Sequence, residues 1–299
     1  MGKLLICDPV DASSVEAIRA TGIEVDVRDD ISLEELAEVI GDYEGMVVRS
    51  RTKVRAPLID KAGGLKLIIR GGVGLDSIDV AYAESKGIDV RNTPAASSNA
   101  VAELAVGMMF ALCRNIAEAD ATMKAGKWEK KKYKGTELLG KTLGVIGYGR
   151  IGRAVGEKAK VLGMQVIAYD PYVTHPDVGL LEDVVKSADI ITLHLPHTPQ
   201  THHILGSEQF AAMKPGVMLV QVSRGGTVDE QALYDAMEKG TVSAAALDVY
   251  TEEPPVSEFL KRLVALPQVI ATPHIGAATV EAQTRIGDEI VKLAVAYLQ

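Results

Sequence analysis

Aromatic side chains are scarce in this 299-residue chain, 4% of it with one Trp and 3 Phe, so any core must be assembled from Val, Ile, Leu, Ala and Met. Cysteine is nearly absent. Cys7 and Cys113 form neither a C-x-x-C pair nor a bridge framework, which excludes a disulfide scaffold and a thiolate zinc site and suits two small buried thiols in a reducing cytoplasm. Long apolar runs are missing too: the longest, around 104–113, is about ten residues against the roughly 20 of a membrane helix. The short apolar stretch before Asp8 is too brief for a signal-peptide core. Nor is there a positive balance. Lys plus Arg number 32 against 40 Asp plus Glu, a net charge of −8, the wrong sign for a nucleic-acid partner, whose affinity comes from phosphate neutralisation. What remains is a cytoplasmic globular chain with no membrane or nucleic-acid partner, long enough for two domains at roughly 150 residues each.

What is present is alternation. Short aliphatic runs at 3–7, 23–27, 45–48, 66–69 and 89–90 predict strands, and 14–20, 33–39 and 78–85 between them predict helices. This order implies parallel strands joined by crossover helices. A long helix is expected over 99–125, capped by Ser97 or Ser98 and stopped at Gly126. A second alternating block has strands at 142–146, 165–169, 190–193, 218–221, 244–248 and 269–271, nearly all apolar, as in a sheet covered on both faces. A last helix, 279–298, either packs back on the first domain or leads on into further chain.

Gly147-Tyr148-Gly149-Arg150-Ile151-Gly152 follows one strand and opens a helix, and the next strand ends in Asp170, about 20 residues on. In that context the glycines predict a dinucleotide cradle. Gly147 makes the tight turn, Gly149 admits pyrophosphate to the backbone, and Gly152 lets helix and strand touch, with the helix N-terminus facing the phosphates. Asp170 is expected to hold the ribose hydroxyls and repel a 2′-phosphate, selecting NAD over NADP. A second loop, Gly71-Gly72-Val73-Gly74, has no acid after its following strand and reads as a small-anion pocket beside Arg70.

Three later strand ends carry 222–226 (V-S-R-G-G), 247–254 (L-D-V-Y-T-E-E-P) and 272–276 (T-P-H-I-G). They supply an arginine to grip a carboxylate, a histidine to take a hydroxyl proton, and a carboxylate to orient that histidine. Adjacent side chains in extended chain point opposite ways, so one of Glu252 and Glu253 is expected to reach His274. His194, His197, His202 and His203 cluster without a cysteine. No metal is expected there, and His194 and Pro196 are assigned to the cofactor pocket.

These motifs, VVRSRTKV, RGGVGLDSID, NTPAASSNAVAEL, GVIGYGRIG, SRGGTVDE, LDVYTEEP and PHIGAAT, span nearly the whole chain, and it resembles the NAD-dependent D-2-hydroxyacid dehydrogenases. The run from Gly126 to Leu138 is most similar to the 3-phosphoglycerate dehydrogenases within that family. The resemblance implies an α/β architecture of two doubly wound parallel-sheet domains. A Rossmann cofactor domain over 95–274, which also makes a homodimer contact, is inserted in a flavodoxin-like substrate domain made of 1–94 and 275–299. It assigns Arg224, Glu253 and His274 to catalysis, and adds Val222, Ser223, Asp248, His274 and Gly276 to the cofactor set, Asp248 beside the nicotinamide amide. It seats a 2-hydroxy or 2-keto acid in a cleft on the Val73 and Gly74 amides, with Arg224 and His274. Arg49, Arg51 and Arg70, with Lys53, read from the residues themselves as either a phosphate-holding cluster or a solvated basic edge. The implied reaction is oxidation of 3-phospho-D-glycerate to 3-phosphohydroxypyruvate in L-serine synthesis. A glyoxylate or hydroxypyruvate reductase, and an NAD(H)-sensing regulatory dimer, are the alternatives. Two departures stand out: Gln221 where the family usually has Asn, and Arg51 where relatives often have a small residue.

Overall fold

The computed structural model describes residues 2–299. They form two compact units, the residues up to Ser98 together with Ala277–Gln299, and Asn99–Gly276. In the first unit the order is β1 (Lys3–Ile6), α1 (Ala12–Ala20), β2 (Glu24–Val27), α2 (Leu33–Val39), β3 (Gly45–Val48), α3 (Ala56–Ile59), β4 (Leu67–Arg70), α4 (Val80–Ser85) and β5 (Asp89–Asn92). All strands are parallel, in the order β2-β1-β3-β4-β5, the flavodoxin-like winding. Every residue of β3 is buried, because helices cover both faces of the sheet. On one face Met46, Val48 and Ile68 meet Leu36, Ile40 and Tyr43. On the other, Leu4, Ile6 and Val47 meet the C-terminal helix, Val280–Leu298, through Ile286, Ile290, Ala294 and Leu298. That helix therefore packs back on the first sheet. Its crossing with α1 is close: a Cβ on Gly287 would stand 2.0 Å from Ser14 Oγ. The short helix α3, started by Pro57, was not expected; at one turn it carries too little periodicity to read.

In sheets of this winding, ligands collect where strand order reverses, here between β1 and β3. The chain fills that point itself. Asp8, 1% exposed, accepts from Arg49 N, from Thr52 Oγ1 at 2.7 Å and from Arg51 Nε at 3.0 Å. Arg51 also donates to the carbonyls of Cys7, Asp29 and Ile31. Arg51, expected to serve a phosphate, thus spends much of its guanidinium fork on a buried carboxylate that follows β1, a partner that spacing along the chain does not reveal. Asp8→Ala should lower the stability of this unit by about 2–4 kcal/mol in denaturant unfolding. A change below about 0.5 kcal/mol would show that the network is incidental.

The second unit contains α5 (Ser98–Cys113), α6 (Ile116–Lys124), β6 (Thr142–Ile146), α7 (Arg150–Val161), β7 (Gln165–Tyr169), α8 (Leu181–Ser187), β8 (Ile190–Leu193), α9 (Ser207–Ala212), β9 (Val217–Gln221), α10 (Glu230–Glu238), β10 (Val242–Leu247), α11 (Glu258–Val264) and β11 (Val269–Ala271). Its six parallel strands run β11-β10-β9-β8-β6-β7. Beyond β7 the edge is extended by one bridge, Ala168 to Val178. Counting that bridge as a vestigial strand, the order is the Rossmann 3-2-1-4-5-6 with β11 added as a seventh strand beyond β10. The single helix expected over 99–125 is instead two, bent by 66°. The break comes at Asn115, whose φ of 52° lies in the left-handed region that Asn tolerates better than most residues. Among the described residues no single helix is long and apolar enough to cross a membrane.

Candidate active site

The site of the second unit grows from the carboxyl ends of its strands. β6 runs into Gly147 (φ 91°), where a Cβ would come within 2.7 Å of the His194 carbonyl carbon, so this turn admits only glycine. A Cβ on Gly152 would stand 2.0 Å from the Gly147 carbonyl oxygen, whereas one on Gly149 would meet nothing within 4 Å. Gly149 is the N-cap of α7, so open space lies at the end where that helix leaves its first N–H groups unpaired. Arg150 is exposed at the helix start and Ile151 half-buried. Asp170 braces the loop, with Oδ2 accepting from Tyr148 N and Oδ1 from Tyr172 N, each at 2.9 Å. The Tyr148 side chain lies in the core and donates to Asp177 at 2.7 Å; burial and that carboxylate push its phenol well up. On the adjacent strand end, His194 pairs through Nε2 with Thr192 Oγ1 at 2.9 Å, while its Nδ1 is buried with no hydrogen-bond partner. Burial pushes this imidazole down to about 3, so it is neutral. Pro196 stays exposed and its carbonyl accepts from Thr201.

β9, β10 and β11 deliver the other segments. His274, at φ 53°, pairs through Nδ1 with Glu253 Oε2 at 2.8 Å. Of the two adjacent glutamates it is Glu253 that reaches the ring; Glu252 accepts from Ser257 N. Burial works to raise the Glu253 carboxyl, but the His274 hydrogen bond and charge, the Tyr250 N–H and the Arg224 charge together hold it below the usual range. Asp248, 1% exposed, accepts from Thr272 Oγ1 at 2.6 Å, Ile275 N at 2.8 Å and Gly276 N at 2.9 Å. Its carboxylate is thus spent on the loop that carries His274. Arg224 donates from Nη1 to Ser223 O at 2.7 Å, and its own carbonyl accepts from Gln221 Nε2 and Thr227 Oγ1. Gln221 also accepts from Ser223 N and Ser223 Oγ, so the glutamine supports this turn with both ends of its amide. Val222 is buried in the core beneath.

The sequence and the fold have known counterparts. The model of the D-isomer specific 2-hydroxyacid dehydrogenase NAD-binding domain matches residues 106–276. The chain belongs to that family. The dehydrogenase is 48% identical to a hydroxypyruvate reductase of Thermotoga maritima over 97% of its own length and 96% of the relative's. It is 49% identical to a D-3-phosphoglycerate dehydrogenase of Methanocaldococcus jannaschii, over 96% of its length but 56% of the relative's, so it spans about half of that longer protein. Among solved structures, the D-lactate dehydrogenase of Aquifex aeolicus, complexed with NAD and lactic acid, superposes with a TM-score of 0.88 at 30% identity, covering 99% of this chain and 95% of that one.

NAD is the cofactor of the dehydrogenase, and the residues present fit it. The open face of Gly149 leaves room for a pyrophosphate, and the unpartnered His194 Nδ1 sits on the strand end that adjoins Gly147. In the first unit, Gly72 (φ 147°) lies under the Arg70 guanidinium, whose Nη1 would be 1.4 Å from a Cβ there. Val73 and Gly74 follow it half-exposed, with Asn92 donating to the Val73 carbonyl. Arg49 donates to the Pro9 carbonyl, and Lys53 is exposed. Among the described residues no three His, Cys, Asp or Glu side chains converge as metal ligands. Tyr250 was not foreseen: its N–H holds Glu253 and its hydroxyl donates to Leu247 and Thr272 carbonyls. Its place in the L-D-V-Y-T-E-E-P run was the available signal.

Proposed function

We propose that the chain oxidises 3-phospho-D-glycerate to 3-phosphohydroxypyruvate, with His274 as acid–base, Glu253 as its partner and Arg224 as the clamp on the substrate's carboxylate and C2 oxygen. The observation that carries the chemistry is the 2.8 Å His274–Glu253 pair on a loop pinned by Asp248. With Nδ1 engaged by Glu253, Nε2 is the nitrogen left to take the C2-hydroxyl proton as the C2 hydrogen leaves with its electron pair and the carbonyl forms. Glu253, held ionised, balances the imidazolium that results. NAD, when bound, supplies the hydride acceptor. Gly147, Gly149, Arg150, Ile151 and Gly152 would hold its pyrophosphate. His194, Pro196, Val222, Ser223 and Gly276 would line the rest of its site, and Asp170 its adenosine ribose. Val73, Gly74, Arg49 and Arg70 are assigned to the substrate.

The phosphorylated substrate is supported by relatives of that name at up to 49% identity and by Arg49 and Lys53 in one loop. A hydroxypyruvate reductase is favoured by one specific observation: Arg51, which would complete a phosphate cluster, is bound to Asp8. Initial rates of NADH oxidation with 3-phosphohydroxypyruvate, hydroxypyruvate, glyoxylate and pyruvate separate the two. The first reading expects kcat/KM for the phosphorylated acid to lead by at least tenfold; a lead for hydroxypyruvate moves the enzyme to the second. No turnover on any of them would support an NAD(H)-sensing dimer.

Asp170→Ala should cut the preference for NADH over NADPH by roughly tenfold, since a charged acceptor for the ribose hydroxyls is lost with the charge that repels a 2′-phosphate. An unchanged ratio of the two Kd values would remove the ribose role. A homodimer through the second unit is supported by exposed apolar side chains on and after α5 and α6, namely Phe110, Ile116, Met123, Trp128 and Leu139. Light scattering of the wild type and of Ile116→Asp tests it.

A further inference from the structure

The turn that carries Arg224 is braced on three sides, and on one of them by histidines to which the reaction gives no task. Beneath it, Gln221 Nε2 and Thr227 Oγ1 donate to the Arg224 carbonyl at 3.0 and 2.8 Å. On the second side Gly225 lies flat on the Tyr250 backbone, where a Cβ would be 1.9 Å from the carbonyl oxygen. On the third side Gly226 (φ 78°) faces the His197 ring, whose Nε2 would lie 2.9 Å from a Cβ there.

His197 is itself held in place. Its Nε2 shares a hydrogen bond with His202 Nδ1 at 3.0 Å. The His202 ring stacks on His203, centroids 3.8 Å apart and planes 22° from parallel. His203 N donates to the Gly226 carbonyl at 2.8 Å, and its Nδ1 lies 3.7 Å from Asp229 Oδ2, the carboxylate that caps α10. One parallel bridge, Leu205 to Val228, ties the two segments together. All three imidazoles are exposed, so burial contributes little to this arrangement. His203 holds a φ of 50°, a conformation that costs of order 1 kcal/mol or more and persists where its surroundings over-determine it.

We infer that His197, fixed by His202 and His203, is a positioning residue for Arg224: its ring wedges against Gly226 and keeps the Arg224–Gly226 turn from tipping out of the site. A misplacement of about 1 Å in such a clamp can cost on the order of a hundredfold in rate. The inference rests on the reading of Arg224 as the substrate clamp, and the experiment separates the two.

His197→Ala should lower kcat/KM for the preferred 2-oxo acid about 10- to 100-fold, through a higher KM and a lower kcat, with the NADH Kd within twofold of wild type. His197→Gln, which refills the space against Gly226 and keeps a hydrogen-bonding group for His202, should recover most of the loss. In an Arg224→Ala background His197→Ala should cost nothing further, because the group it positions is gone. The inference is overturned if His197→Ala stays within twofold of wild type, if its loss is undiminished beside Arg224→Ala, or if it weakens NADH instead, which would put the ring in the cofactor pocket. Arg224→Ala with unchanged kcat/KM would overturn the reading beneath it.

Discussion

His274→Gln is expected to lower kcat by about 10²–10⁴, the range that positioned acid–base groups contribute, while the NADH Kd moves less than twofold. Glutamine can keep a donor near Glu253 Oε2, which now stands 2.8 Å from the ring, so the loop geometry set by Asp248 should survive. What it cannot do is take a proton from the C2 hydroxyl. The position is demanding in a second way, because a φ of 53° is uncommon for any residue but glycine. That strain is held by the Asp248 contacts to Ile275 N and Gly276 N on the far side of the loop. Single-turnover mixing of enzyme, NADH and 2-oxo acid gives the chemical step directly. Retention of kcat within fivefold would remove His274 from the reaction.

The second large effect concerns the glycine cradle, where two alanines should part company. Gly152→Ala puts a Cβ 2.0 Å from the Gly147 carbonyl oxygen, a backbone contact that no rotamer relieves. Overpacking of this kind costs about 3 kcal/mol, a fall in Tm of roughly 5–10 °C for a unit of this size, and NADH binding should fall with it. Gly149→Ala meets no protein atom within 4 Å, and its φ of −74° suits alanine. Its Tm should stay within about 2 °C of wild type, yet NADH affinity should fall at least tenfold because the new methyl occupies the approach of the pyrophosphate. Calorimetry paired with NADH fluorescence titration reads both. A Gly149→Ala protein that binds NADH normally would show that the phosphates do not approach there.

Most strands were legible because their residues, such as Thr142–Ile146 and Ile190–Leu193, are aliphatic runs bounded by turns. The cradle was legible because its glycines sit between a readable strand and a readable helix. The bend at Asn115 was not, since its cause is one backbone dihedral inside an otherwise continuous apolar pattern. The short α3 was lost for want of length.

The site divides in the same way. Chain order alone placed Arg224, Glu253 and His274 at strand ends, and parallel winding puts such ends on one edge of a sheet. Which partner each side chain takes was decided by contacts between segments distant in sequence. Asp8 claims Arg51 across 43 positions, and Asp248 accepts from the backbone of the His274 loop. Gln221, which departs from the family's usual Asn, braces the Arg224 turn with four hydrogen bonds to Ser223, Arg224 and Thr227. The sequence by itself determined the periodicities, the glycines and the kinds of chemistry available, because these are local in the chain. Only the tertiary structure decided which charges are consumed in holding the fold and which remain for a ligand, because burial forces each polar group to find a partner wherever packing has brought one within reach.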